Sequence, residues 1–130
     1  MAISPLVVAE QPLGDVDRQA VQWVINSQIS AFKSDDYKSA YSFADDSVRQ
    51  VFPSVEKFID MVRRDYMPLY RPVSYTFGRS SLEGGEVFQE LLITDGERKL
   101  WQVIYTLRQQ EDETWKVTNV LMLPYRGISA

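Results

Sequence analysis

The chain has 130 residues, of which 45 % are apolar and 25 % charged, and its net charge is −4. That length suits one domain with one core, and an acidic chain with no basic run repels a phosphate backbone, which sets nucleic-acid binding aside. There is no cysteine and no histidine, so disulfides, thiolate chemistry, the usual general base near neutral pH and the commonest metal ligand are all missing.

Residues 1–14 contain Pro5, Pro12 and Gly14 and read as an N-terminal arm. No apolar run approaches the roughly 20 residues of a membrane span. Val7-Val8-Ala9 has the small-residue character of a trimmed signal remnant. A cytoplasmic protein is expected, or an exported one if residues 1–9 are such a remnant. Residues 15–125 read as a single domain and residues 126–130 as a tail.

Residues 15–34 are expected to be helical, with Asp15 or Asp17 as N-cap. Val21, Val24, Ile25, Ile29 and Phe32 share one stripe and Trp23 lies off it. A second helix is expected over 36–44, capped by Asp35. Residues 47–52 fit either a helical turn or a short strand. Ser54 caps a third helix, 55–66, with Phe58, Met61, Val62 and Tyr66 as its apolar stripe. Pro68 disfavours helix at Met67 and ends it.

From Val73 the period changes to two, and strands are expected at 73–80, 86–94, 97–109 and 113–123. Read as a two-residue turn, Asp95-Gly96 sets Gln89 opposite Gln102 and Leu91 opposite Leu100. One face then carries Val87, Leu91, Ile93, Leu100, Ile104, Trp115, Val117, Leu121 and Leu123, and is assigned to the core beneath the helices. The other carries Phe88, Leu92, Trp101, Val103, Tyr105, Leu107, Val120 and Met122, too apolar for water. A homodimer through Phe88, Trp101, Val103, Tyr105 and Met122 is expected; the arm or tail folding across that face is the alternative.

Three helices followed by a curved four-stranded antiparallel sheet is an α+β pattern that resembles the nuclear transport factor 2-like, or cystatin-like, cone. Phe43-Ala44-Asp45-Asp46-Ser47-Val48 looks like that superfamily's helix-to-strand corner. Gln28-Ile29-Ser30-Ala31-Phe32, Ala40-Tyr41-Ser42-Phe43-Ala44, Phe58-Ile59-Asp60-Met61-Val62 and Tyr66-Met67-Pro68-Leu69-Tyr70-Arg71-Pro72 resemble, in this order, the bacterial and plant domain-of-unknown-function family 4864. The superfamily resemblance implies a cone between helices and sheet that often holds a small apolar ligand. The nearer resemblance implies no activity, ligand or catalytic residue.

Within such a cone, Gln28 falls on the apolar stripe of the first helix, and Gln89, Gln102 and Asn119 are the polar residues of the assigned inner face. Four converging amides suit a structural network or a ligand pocket. Asp65 falls on the third helix's stripe, near its C-terminus, where a carboxylate opposes the helix dipole. Either it turns to water or pairs with Arg63, Arg64 or Arg71, or it is a buried acid or base helped by Tyr66, Tyr70 and Tyr75. Arg71 is expected to pair with Asp35, Asp36 or Asp45 rather than clamp a ligand carboxylate. The spacing of Asp35, Asp36, Asp45 and Asp46 is not that of a Ca²⁺ loop, and neither metal nor cofactor is expected. The expected function is binding of a small, mainly apolar ligand, or a structural or interaction role, without catalysis. The alternatives are a cofactor-independent isomerase or lyase using Asp65, and a protein-interaction module using the open sheet face.

Overall fold

A computed structural model describes residues 11–126. The elements run β1 (Gln11–Pro12), α1 (Asp15–Lys33), α2 (Tyr37–Ser42), α3 (Asp46–Val51), α4 (Val55–Asp65), α5 (Met67–Tyr70), β2 (Ser74–Glu83), β3 (Glu86–Thr94), β4 (Leu100–Gln109) and β5 (Trp115–Pro124). The strands form one antiparallel sheet in sequence order. The α+β class is as expected, but the sheet has five strands rather than four. The extra strand comes from the expected arm: Gln11 pairs with Leu82 and Pro12 with Ser81 at the sheet edge, where proline's missing donor is tolerated. Residues 1–10 of the arm and 127–130 of the tail lie outside the described residues.

The helices follow the apolar periodicity. Val21, Val24, Ile25, Ile29 and Phe32 of α1 are buried, while Trp23 is 63 % exposed and meets Phe43 edge-on. Neither Asp15 nor Asp17 caps α1. The N-cap is Gly14, and the two carboxylates sit in the first turn, where they favour the dipole. Asp36, not Asp35, caps α2 by accepting from the Ser39 amide at 3.2 Å. Residues left open between helix and strand become α3, because Asp45 accepts from the Ser47 amide and starts the turn. Ser54 caps α4 as expected. The chain leaves helical geometry at Tyr66, but helix resumes at once as α5, since Pro68 fits a first turn.

The sheet departs most from expectation, and both causes are local. The connection from β3 to β4 is not a two-residue turn. The Arg98 amide donates to Asp95 O and the Asp95 amide to Lys99 O, which leaves the three residues 96–98 as the loop, with Arg98 at φ 66°. Gln89 therefore faces Tyr105, Leu91 faces Val103 and Ile93 faces Trp101. The shift is odd, so the whole of β4 turns over. A second cause lies in β5, where Leu107 pairs with Val117 but Thr106 with Asn119, leaving Thr118 as an extra, bulged residue. Trp115 and Val117 stay in the core as expected, while everything beyond Thr118 changes face.

The inner face is thus Val87, Gln89, Leu91 and Ile93 of β3, Val103, Tyr105 and Leu107 of β4, and Trp115 and Val117 of β5, all buried. Trp101, Val120 and Met122 pack against this core. Leu100, Leu121 and Leu123, expected inside, are 38 %, 47 % and 43 % exposed, and Ile104, opposite Leu121, lies with them on the outer face. Of the five residues expected at a dimer interface, Val103 and Tyr105 are fully buried under the helices, Trp101 and Met122 share their face, and Phe88 alone faces outward. The helices cover the inner face, with α1 crossing β3 and β5.

Candidate cleft between the helices and the last strand

A cleft of about 400 Å³ opens where α1, α3, α4 and α5 meet β5. Phe32, Phe58, Val62 and Leu69 come from the helices, Val117 and Val120 from the strand. Local sequence builds it at two points. Asp45 ends the crossing from α2 so that Ala44 bridges Val117, with Asp45 N donating to Val117 O and Val117 N to Phe43 O, both at 2.8 Å. The bulge at Thr118 then turns Val120 inward, and the Tyr66 hydroxyl donates to Val120 O at 3.2 Å, which ties the end of α4 to the strand.

Of the eight residues expected to line a pocket, four border this cleft: Gln28, Asn119, Asp65 and Tyr66. Gln28 is buried. Its Nε2 donates to Ala40 O at 3.1 Å and its Oε1 accepts from the Tyr105 hydroxyl at 3.3 Å. Burial pushes the Tyr105 hydroxyl far above its usual titration range, so it stays a neutral donor. Asn119 is exposed. The Asp65 side chain is 49 % exposed, and both its oxygens accept from Arg64, at 3.2 Å from Nε and 3.1 Å from Nη2.

The other four are elsewhere, and the expected convergence of amides does not occur. Gln89 is wholly buried, but its Nε2 donates to Gly78 O, Arg79 O and Glu90 O, and its Oε1 accepts from Gln22. It satisfies the backbone of a bulge in β2, where Gly78 and Arg79 lie opposite Glu90. Gln102 sits on the outer face between Leu92 and Leu123. Tyr75 donates to Asn26 Oδ1 at 2.5 Å, and burial raises its hydroxyl. Tyr70 donates to Asp35 Oδ1 at 3.0 Å and meets the Tyr37 hydroxyl at 3.1 Å; burial first, then these two bonds, push it up to about 12. Arg71 closes this cluster, donating to Asp35 Oδ1 at 2.5 Å and to Phe32 O, and covering the Tyr70 ring. It joins the C-terminus of α1 to α5, and of the three carboxylates expected as its partner, Asp35, Asp36 and Asp45, it is Asp35 that Arg71 pairs with.

One polar centre was missed as a unit. Asp45, 2 % exposed, accepts from the Ser47 amide (2.9 Å) and hydroxyl (2.8 Å), from Gln110 Nε2 (2.9 Å) and from Arg108 Nη2 (2.6 Å). Burial alone would push its carboxyl up, but the bonds from Ser47, Gln110 and Arg108 outweigh it and hold the group far below the usual carboxylate range. The helix cap was readable as Asp45-Asp46-Ser47. Partners more than sixty positions away left no signal.

Among the described residues no three acidic side chains stand close enough to hold a metal ion, and no helix is long and apolar enough to cross a membrane. No curated protein and no solved structure matches the chain. Residues 15–130 match the model of the family described as domain of unknown function (DUF4864), and the chain belongs to that family.

Proposed function

We propose that this protein binds a small, mainly apolar ligand in the cleft between its helices and β5, and does no chemistry on it. The observation that carries this reading is a space of about 400 Å³ with a largely apolar lining and few polar groups. Interiors of this kind are normally packed shut, and ligand sites are where they are not. Asp65 is half exposed and held by Arg64, so the cleft lacks the buried carboxylate that an isomerase or lyase would need. The order of elements, with helices over one face of an antiparallel sheet, supports a nuclear transport factor 2-like cone as the framework.

The neutral dye N-phenyl-1-naphthylamine tests the site. Its fluorescence should rise saturably on binding the unaltered protein. Val62→Trp, which fills the cleft, should weaken that binding by at least about tenfold while the circular dichroism is retained. Equal binding to a folded Val62→Trp protein would remove the reading.

A second reading has its own observation: Leu100, Leu121 and Leu123 stand exposed beside Phe88, Leu92 and Ile104 on the outer sheet face. An apolar patch of this kind is unusual on a monomer. We propose a second copy as its occupant. Cross-strand partners Glu86, Arg108 and Lys116 place both signs of charge on that face, so two copies can oppose it without repulsion. Light scattering should show a dimer that Leu121→Glu splits. A monomeric unaltered protein would end this second reading.

A further inference from the structure

The cleft is apolar, yet its most telling property is where charge is absent. Among the described residues, none of the side chains lining it is a lysine or arginine, and Asp65 is the one ionised group on its border. Three neighbouring arginines hold partners of their own. Arg64 holds both oxygens of Asp65. Arg49 does not line the cleft; its Nη2 donates to Tyr41 O and Ser42 O, and the guanidinium lies 4.9 Å above the Tyr41 ring. Arg108 is bound to Asp45. A carboxylate, sulfate or phosphate entering the cleft would lose water and meet no counter-charge, which is heavily unfavourable. An ammonium gains little either, because the single carboxylate at the rim is half exposed and already shared with Arg64, so it offsets little of the lost hydration.

What the cleft does offer is one buried neutral amide, since Asn119, on its border, is exposed. Gln28 has two N–H donors and an oxygen with two acceptor sites. Ala40 O takes one donor and the Tyr105 hydroxyl fills one acceptor site. One donor and one acceptor remain, in a side chain that is 3 % exposed and borders an apolar space. A hydroxyl or a primary or secondary amide complements such a pair, giving one hydrogen and receiving another.

We propose that the cleft selects uncharged amphiphiles: an apolar body with a single hydroxyl or amide group that seats against Gln28, with ionised fatty acids and amines rejected. This rests on the cleft being the ligand site, and the test separates the two claims. Bound N-phenyl-1-naphthylamine is displaced at pH 7 with 1-decanol, decanoate and decylammonium, which share one chain length and differ in the head group. Decanol should displace the dye at a concentration at least about tenfold lower than either ion. Gln28→Met, of similar volume, should narrow decanol's advantage over the two ions several-fold, with each displacement referred to that variant's own dye affinity. Should that variant fail to fold, the comparison of head groups on the unaltered protein still decides. Decanoate or decylammonium displacing as well as decanol would overturn charge rejection although the cleft is occupied. Absence of dye binding would instead overturn the cleft itself, and this inference with it.

Discussion

Replacing Asp45 should separate a helix cap from a buried charge. The carboxylate, 2 % exposed, receives four hydrogen bonds and joins three parts of the chain: the start of α3, the end of β4 and the loop before β5. Alanine removes the cap on α3, worth about 1 kcal/mol. It also removes a charge-assisted bond to Arg108, worth about 1.5–3 kcal/mol. The Arg108 side chain is 51 % exposed and regains water, so the lower end of that range applies. The total loss should be about 2–3 kcal/mol. Asparagine caps as well as aspartate, so Asp45→Asn should lose only about 1–2 kcal/mol.

Urea unfolding followed by tryptophan fluorescence reads both losses, and pH separates them further. The folded carboxyl is held below its unfolded value of about 3.9. Its contribution is therefore complete above that value and is lost as pH falls towards the folded one. The gap between the unaltered protein and Asp45→Asn should stay constant from pH 7 to pH 5, then narrow by about 1 kcal/mol by pH 3. A gap that does not change with pH, or an alanine cost below about 0.5 kcal/mol, would show that this carboxylate does not hold the corner.

Two further outcomes follow from buried geometry. Gln28→Leu deletes the bonds to Ala40 O and the Tyr105 hydroxyl, stranding a fully buried phenol. It should destabilise by about 2–3 kcal/mol, whereas Gln28→Leu combined with Tyr105→Phe should recover part of that in the same urea assay. Gly78 lies in the β2 bulge, where an added Cβ would meet Glu90 Cβ at 3.3 Å and Oε2 at 3.4 Å. Gly78→Ala should therefore cost about 1 kcal/mol, and Glu90→Gly, which removes that Cβ, should relieve it in a double-mutant cycle.

The helical half was legible because its signals are local. The stripe from Val21 to Phe32, the Ser54 cap and the end of α4 before Pro68 each depend on neighbours within a turn or two. That Arg71 pairs with a carboxylate near the helix ends was legible, but which of Asp35, Asp36 and Asp45 takes it was settled only by how α1 and α5 pack. The cleft was legible only in part. Gln28 and Asp65 reach it because they ride on helices whose phase was right, and Tyr66 because it caps one of them. Gln89 and Gln102 were joined by an inferred register, and register depends on how many residues a turn holds, which composition does not count. Asp45 shows the limit from the other side, since its bonds to Arg108 and Gln110 exist only after β4 and β5 have paired.

The decisive misreading was of Asp95-Gly96, and it yields a prediction of its own. As a two-residue turn this pair would need glycine at positive φ. In the observed loop the left-handed residue is Arg98, at φ 66°, and the same device recurs at Glu113, at φ 71°, before β5. Asp95 explains the preference: its Oδ1 accepts from the Glu97 and Lys99 amides, both at 2.9 Å, and its Oδ2 from Trp101 Nε1 at 2.9 Å. These bonds hold the three-residue loop and fix the turned-over face of β4. A left-handed conformation costs a residue with a Cβ about 1–2 kcal/mol relative to glycine, part of which glycine returns through its freer unfolded chain. Arg98→Gly and Glu113→Gly should each stabilise by about 0.5–1 kcal/mol. Gly96, which has open space around it and no positive φ, should accept alanine at no cost. Urea midpoints of the three variants decide the matter. If Gly96→Ala lost more than about 1 kcal/mol while Arg98→Gly gained nothing, the two-residue turn would be right. Gln89 and Gln102 would then stand side by side, and Leu100 and Ile104 would belong to the core.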